Sequence, residues 1–159
     1  MTDTGLRAAL TTRLSSAEGV VMHVYLDTNG YATAGHGHKL LAAERAQYPV
    51  GSPITPEQDA AWFDADLEVA IAGARRDAPE FDSLPDVIQE VLVEVAYNNG
   101  VGGLAGFTHM LAAAKIGDWA TMAAQLMDSD DGRRLPVRYG QLRDMVLSCV
   151  GVSDGEKSA

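Results

Sequence analysis

The chain has 159 residues, and 22 acidic residues against 12 Lys and Arg give it a formal net charge of -10. Its length is typical of one domain, which we place at 1–150, followed by a tail at 151–159 that we expect to be disordered. An acidic chain without clustered Lys and Arg is not expected to bind nucleic acid or to insert into an anionic membrane. A single cysteine and the lack of Cys and His zinc spacings exclude an internal disulfide and a typical structural zinc site.

The N-terminal part of the chain predicts a helix followed by a hairpin. Apolar residues at helical spacing indicate an amphipathic helix over 4–14. Between residues 20 and 41, β-branched and aromatic residues flank Asp27-Thr28-Asn29-Gly30, a sequence that supplies the positive φ angles of a tight turn. This hairpin is the one sheet that the pattern predicts, and 40–54 is expected to be a short helix or a loop.

The rest of the chain predicts helices. Thr55-Pro56-Glu57-Gln58 is a capping box with proline at the first helical position, and the apolar stripe behind it continues for about twenty residues, roughly 30 Å. A more apolar segment that ends at Asn98-Asn99-Gly100 is expected to be the buried central helix. Shorter helices are predicted at 107–116, 119–127 and 136–149.

This order of elements predicts an α+β fold. A small N-terminal β-hairpin lobe, about 15–55, is joined by the long helix to a larger helical lobe made of 56–150 and the N-terminal helix. A hairpin of this size cannot bury enough apolar surface alone and needs helical support. A cleft between the two lobes is therefore expected.

Two carboxylates and a threonine carry the informative chemistry. Glu18 follows the first helix and Asp27 lies at the hairpin turn, so the two side chains can face each other across a gap. Glycosidic bond cleavage uses such a pair, with one carboxyl group protonated and the other ionised. Asp27 alone also fits a plain turn former. Thr33 completes the order Glu, eight residues, Asp, five residues, Thr.

Together with the glycine-rich Gly35-His36-Gly37-His38, this pattern resembles the phage-type lysozymes, glycoside hydrolase family 24, typified by the endolysins of T-even phages. The resemblance continues through Gly103-Leu104-Ala105-Gly106-Phe107-Thr108 and covers nearly the whole chain. It implies a lysozyme-like fold. It also implies a muramidase that hydrolyses, with inversion and without a cofactor, the β-1,4 bond between N-acetylmuramic acid and N-acetylglucosamine during host cell lysis.

The resemblance also implies roles for single residues. Glu18 is the general acid that protonates the glycosidic oxygen, and Asp27 and Thr33 hold and activate the water on the opposite face of the sugar. The residues that it places in substrate binding are Tyr31, Tyr97, Asn98, Asn99, Phe107 and Arg138. Tyr31 and Tyr97 fit packing roles as well. Arg138 corresponds to an arginine near the catalytic glutamate, but Ala17 before Glu18 offers no carboxylate to pair with it.

The histidines allow a structural and a metal hypothesis. By resemblance, His38 pairs with Asp66 of the long helix. His36 and His38 lie two apart on a presumed strand and would project to one side, with His23 on the neighbouring strand. The spacing lacks the further carboxylate or cysteine of most zinc sites, so we expect no metal.

The implied partner is bacterial peptidoglycan, attacked by a monomer. No signal peptide precedes the first helix and no apolar stretch reaches the roughly 18 residues that span a bilayer. We therefore expect the protein in the host cytoplasm until a holin-type lesion gives access to the wall, or else delivery by a virion. Two rivals stay open: a lytic transglycosylase, which uses a lone glutamate, and a non-catalytic virion or wall-binding module with the same fold.

The long helix and the central helix lie in a strongly acidic segment. Residues 54–94 contain eleven acidic residues and only two basic ones, Arg75 and Arg76, a local charge of -9. Such charge should repel a wall that bears peptide carboxylates, most of all at low salt. We expect most of these acids to lie on solvated helix faces.

Overall fold

The computed structural model describes residues 1–151, apart from the side chains of Ala17 and Glu18. The chain is α+β, mostly helical with a small antiparallel sheet near the N-terminus. Beyond Gly151 the predicted tail lies outside the described residues. The helices and strands are, in chain order, α1 Asp3–Glu18, β1 Val21–Leu26, β2 Ala32–Gly35, β3 His38–Lys39, α2 Ala42–Gln47, α3 Pro56–Asp77, α4 Asp86–Asn99, α5 Thr108–Ile116, α6 Trp119–Asp128, α7 Asp130–Arg134 and α8 Pro136–Leu147.

The described residues form two compact units. One unit, which we call the sheet unit, is Arg7–Val69, and the other, the helical unit, is Met1–Leu6 together with the chain from Ala70 onward. Helices α1 and α3 each contribute residues to both units. The boundary lies inside α3 rather than at its start, because Trp62 near the beginning of α3 belongs to the same apolar core as the strands.

The sheet has three antiparallel strands in the order β1-β2-β3. Tyr25 of β1 pairs with Thr33 of β2, which pairs in turn with Lys39 of β3, so these three residues form one row across the sheet. Gly30 has a φ of +81°, which closes the turn between β1 and β2 as the sequence predicts. The core of the sheet unit consists of buried apolar residues, namely Val24, Ala32, Ala34, Leu40, Ile54 and Trp62.

The helical unit is built around α4. This helix buries a continuous run of residues because its sequence is apolar on most of its circumference. Helix α8 packs against α4 and α6. It buries Tyr139, Leu142 and Val146. The prediction that this helix is buried is confirmed.

Helix boundaries agree with the predicted caps in several places. Thr55 Oγ1 accepts from the Gln58 N–H at the start of α3, and the Asp118 side chain accepts from the Thr121 N–H at the start of α6. The first helix is longer than predicted and ends at Glu18, where Gly19 adopts a φ of +65°.

A short helix was not predicted within the polar run 128–134. Helix α7 forms there because the Ser129 hydroxyl accepts from the Gly132 N–H and so caps its first turn. Acidic residues in its first turn and arginines in its last turn suit the helix dipole.

Within residues 1–151 no helix combines the length and the apolar character that a membrane-spanning segment requires.

Candidate active site

Glu18 is the last residue of α1, and its side chain lies outside the described residues. The helix ends there because the positive φ of Gly19 redirects the chain toward β1. One turn earlier, Ser15 Oγ lies 3.1 Å from His36 Nε2, so the end of α1 is attached to the segment between β2 and β3. The backbone just before Glu18 is therefore tied to the segment between β2 and β3.

His36 is itself held by Asp59 of α3. Its ring Nδ1 lies 2.9 Å from Asp59 Oδ2, and its backbone N–H donates to Asp59 Oδ1 at 3.0 Å. His36 therefore bridges Ser15 of α1 and Asp59 of α3 through its two ring nitrogens. Gly35 has a φ of +60°, and a Cβ at this position would overlap the Asp59 carboxylate. The end of α1 is thus supported by a connected set of residues, namely Ser15, Gly35, His36 and Asp59.

Asp27 is oriented by the hairpin turn. Its Oδ1 accepts from the backbone N–H groups of Asn29 and Tyr31, both at 2.9 Å. Among the described residues no hydrogen bond reaches Oδ2. One carboxylate oxygen is therefore used to fix the side chain, and the other is available to accept from a water molecule.

Thr33 lies diagonally across from Asp27. Asp27 N donates to Tyr31 O, and Tyr25 pairs with Thr33, so Asp27 and Thr33 are diagonal neighbours on one face of the sheet. Thr33 is 4% exposed, and its hydroxyl donates to Tyr31 O at 3.0 Å. Since the hydroxyl proton is used, its lone pairs can only accept, as Asp27 Oδ2 can. A water between them would donate both protons and keep its own lone pairs for attack.

His38 is the centre of a second polar cluster in the sheet unit. Its Nδ1 lies 2.8 Å from Asp66 Oδ2, and its Nε2 lies 2.8 Å from Glu44 Oε2, while the ring stacks on Trp62. Burial alone lowers the pKa of His38, but the hydrogen bonds and charges of Asp66 and Glu44 outweigh it, so the pKa is raised above 6.5. Burial raises the pKa of Glu44, but the bonds from His38 and the Leu41 N–H bring it below 4.5.

Glu44 was missed from the sequence. The signal that could have identified it is its position at N3 of the short helix α2. There its carboxylate accepts from the Leu41 N–H at 2.7 Å. The expectation that His36 and His38 project together from a strand was wrong, because His36 lies in the turn between β2 and β3 and each imidazole binds its own carboxylates. The described residues contain no group of three or more acids, histidines or cysteines arranged to hold a metal ion.

Tyr31 is 54% exposed at the edge of the hairpin, and the Lys39 ammonium lies 4.8 Å from the centre of its ring. This is an exposed cation–π pair. It lies beside the row that contains Thr33, and an exposed aromatic face of this kind suits stacking against a sugar ring.

The predicted residues of the helical unit differ in what their side chains do. Asn99 Nδ2 donates to Val95 O at 2.8 Å and to the Tyr139 hydroxyl at 3.1 Å, so its amide is used in packing. The Asn98 amide is buried, and neither its oxygen nor its nitrogen has a hydrogen-bond partner among the described residues. Tyr97 is partly buried. Asn98 and Asn99 thus differ, because the Asn99 amide is used in packing and the Asn98 amide makes no such contact within the part of the chain that the structure describes.

Tyr139, the partner of Asn99, is fully buried on α8. Burial and the nearby Asp131 carboxylate raise the pKa of Tyr139 to about 12, against the hydrogen bond from Asn99. The phenol is therefore a permanent donor, and it lies 3.3 Å from Asp131 Oδ2.

Phe107 lines a pocket of about 140 Å³ within the helical unit. The pocket lies between the start of α5 and the end of α6, and its polar walls were not predicted from the sequence. Among them are His109, Gln125, Asp128 and Ser129. Only the neighbouring Phe107 indicated this region in advance, because the polar residues come from opposite ends of the consecutive helices α5 and α6 and meet only when these helices pack together.

Arg138 of α8 has a side chain that is 15% exposed, and its Nε lies 3.7 Å from Oε1 of Glu94, which is 2% exposed on α4. Among the acids of 54–94, Asp59 and Glu94 are buried, and the others are exposed or partly exposed as expected. The sequence left Arg138 without a carboxylate partner at position 17. In the structure Glu94 of α4 is a carboxylate partner of Arg138.

Comparison with known proteins gives the family. The phage lysozyme family model matches residues 15–142, and the chain belongs to this family. The chain is 31% identical over 137 residues to the pre-baseplate central spike protein Gp5 of Enterobacteria phage T4. The match covers 74% of this chain and 24% of that protein.

Proposed function

We propose that the protein is an inverting muramidase that hydrolyses the β-1,4 bond between N-acetylmuramic acid and N-acetylglucosamine of peptidoglycan. The observation that carries this proposal is the geometry of Asp27 and Thr33. One oxygen of Asp27 is fixed by the hairpin turn and the other is available, and Asp27 is a diagonal neighbour of Thr33, whose hydroxyl can only accept. Two acceptors on one face hold a water as a general base requires.

In this reaction Glu18 donates its proton to the glycosidic oxygen. Glu18 is the last residue of α1, directly before Gly19 and the start of the sheet. As the glycosidic bond breaks, the water held by Asp27 and Thr33 attacks the anomeric carbon from the opposite face, and its proton passes to Asp27. The sugar that is released therefore has the α configuration.

The remaining predicted residues bind the glycan in this proposal. Asn98 offers a donor and an acceptor that match an N-acetyl group, and Tyr31 offers an exposed ring face. Phe107 belongs to a pocket whose size suits part of a sugar residue. Asn99 is assigned to packing rather than to substrate, since its amide already donates to Val95 and Tyr139.

The biological setting is host cell lysis as an endolysin or wall penetration as part of a virion. Similarity to a virion spike protein supports delivery by a virion, and family membership is compatible with either setting. Both settings use the same chemistry. Antibody detection of the protein in purified virions, against its presence in the lysate alone, separates them.

Mass spectrometry of digested peptidoglycan, with proton NMR from the start of the reaction, tests the chemistry. Reducing ends with the α-anomer first are expected. Anhydro ends would indicate a lytic transglycosylase, and absence of products would indicate a non-catalytic module. Glu18→Gln should lower turnover by about 10² to 10⁴-fold. Glu57→Gln, which removes an exposed carboxylate elsewhere in the sheet unit, is the matched control.

A further inference from the structure

The two faces of the sheet carry different kinds of residue. One face packs into the apolar core of the sheet unit through alternate residues, namely Val24, Ala32, Ala34 and Leu40. Residues at i and i+2 of a strand share a face, and so do directly paired residues, so Tyr31, Thr33 and Lys39 lie together on the opposite face. Asp27, the diagonal neighbour of Thr33, is on that face as well.

Lys39 is an exposed cation with a defined place on this face. It pairs with Thr33 across the strands, and its Nζ lies 4.8 Å from the centre of the Tyr31 ring. Arg7 of the same unit is paired with Glu68, but no carboxylate among the described residues lies at ion-pair distance from the Lys39 ammonium. The charge of Lys39 is therefore not neutralised within the part of the chain that the structure describes.

A cation on this face stands out because the sheet unit is acidic. Against eight acidic residues, its basic residues are Arg7, Arg13, Lys39 and Arg45. Such charge repels an anionic polymer at long range, but salt at 0.15 M screens the repulsion beyond about 8 Å. At contact the nearest charge decides, and an ammonium there attracts a carboxylate. Lys39 lies across β2 from Asp27, and two strand spacings of about 4.8 Å separate their strands, so a carboxylate at Lys39 stays clear of the Asp27 charge.

We propose that Lys39 is a specificity residue that pairs with a carboxylate of the glycan while Asp27 and Thr33 hold the water. This inference rests on the proposed function, in which the bond that is cut adjoins a muramic acid residue. Muramic acid carries a lactyl group whose carboxyl is either free or joined to a peptide with carboxylates of its own. Polymers of N-acetylglucosamine alone lack both groups, so Lys39 favours muramyl glycans over them.

The Tyr31 ring explains how a flexible lysine can act in this way. The cation–π contact holds the ammonium over the ring before substrate binds, so less side-chain freedom is lost when a carboxylate arrives. The carboxylate takes no part in bond cleavage, and its contact with Lys39 is therefore the same in the ground state and in the transition state. Binding of this kind lowers KM and leaves kcat unchanged.

The test measures kcat and KM of wild type and Lys39→Met on two forms of soluble, uncross-linked glycan chains from peptidoglycan. One form keeps its carboxylates, and in the other all carboxyl groups are converted to amides. Lys39→Met is expected to raise KM about 3- to 5-fold on the carboxylate form, with kcat changed less than about 2-fold, and to equal wild type on the amide form. Lys39→Arg keeps the charge and should stay close to wild type on both. Arg45→Met removes another exposed cation of the sheet unit, on α2, and is the matched control.

A third substrate, glycan chains freed of peptide by an amidase, separates the two sources of the carboxylate. A rise in KM of Lys39→Met on these chains identifies the lactyl carboxylate, and a rise only on peptide-bearing chains identifies the peptide. An equal rise on the carboxylate and amide forms would mean that Lys39 only supports the Tyr31 ring. That result, or no rise on either form, would overturn the inference while the proposed function stands. Absence of products from wild type on every substrate would overturn the proposed function, and the inference with it.

Discussion

Glu44→Gln tests whether two carboxylates hold His38, as the structure shows, or whether one is enough. Glutamine keeps an oxygen that can accept from the Leu41 N–H, but it removes the negative charge that lies 2.8 Å from His38 Nε2. Asp66 stays in place at 2.8 Å from Nδ1. The variant therefore isolates the charge of one partner and leaves the other contacts of the cluster intact.

The expected loss of stability is small but measurable. A hydrogen bond to a charged group contributes about 1.5–3 kcal/mol and a neutral one about 0.5–1.5 kcal/mol, so removing the charge should cost about 1 kcal/mol. The Glu44 side chain is 24% exposed, and screening by water places the loss toward the lower part of that range. For a chain of this length, about 1 kcal/mol corresponds to about 2–4 °C in Tm.

The pH dependence gives the sharper test. The pKa of His38 is raised above 6.5, so its contribution is fully present below pH 6.5 and is lost as pH rises through the folded value. The pKa of Glu44 is lowered below 4.5, so its contribution is present above pH 4.5 and is lost as pH falls through the folded value. The gap in Tm between wild type and Glu44→Gln should therefore be largest between pH 4.5 and pH 6.5.

Thermal melts followed by far-UV circular dichroism, at about pH 5.5 and about pH 9, measure this gap. At the higher pH the neutral imidazole has one N–H proton for two carboxylates, so the charge of Glu44 no longer stabilises it and the glutamine variant should be about as stable as wild type. Asp64→Asn removes an exposed charge from the same helix as Asp66 and is the matched control. An equal gap at both pH values would refute the argument that Glu44 acts through its charge on His38.

Three further predictions concern the hairpin and the acidic surface. Asp27→Asn should reduce muropeptide release by about 10² to 10⁴-fold with an unchanged Tm, because the amide oxygen keeps the turn bonds but cannot accept the proton of the water; near wild-type release would exclude Asp27 as the base. Gly35→Ala should destabilise by about 1–3 kcal/mol more than Gly30→Ala in urea unfolding, since both glycines have positive φ but only Gly35 faces Asp59; equal losses would contradict this. Lysis of walls should rise with added salt at low ionic strength, because the Debye length falls from about 30 Å at 0.01 M to about 8 Å at 0.15 M; a steady fall would mean that basic residues govern wall contact.

Features that depend on neighbours in the chain could be predicted from the sequence. The cap at Thr55 bonds a group three residues away, the cap at Asp118 does the same, and the turn at Asp27 to Gly30 needs only residues that tolerate its angles. Local geometry of this kind depends only on residues that are close together in the sequence. The spacing of Glu18, Asp27 and Thr33 indicated the family for the same reason, since all three come from one helix end and the hairpin that follows it.

Features that depend on distant partners were decided by the tertiary structure. An acid on a helix looks the same in the sequence whether water or a buried cation faces it, so Asp59 and Glu94 could not be told from the solvated acids around them. His36 and Asp59 are 23 residues apart. The pairing of Glu94 with Arg138 joins two helices separated by the whole of α5, α6 and α7. Such contacts exist only once packing has excluded water, because burial is what turns a weak surface charge into a fixed partner.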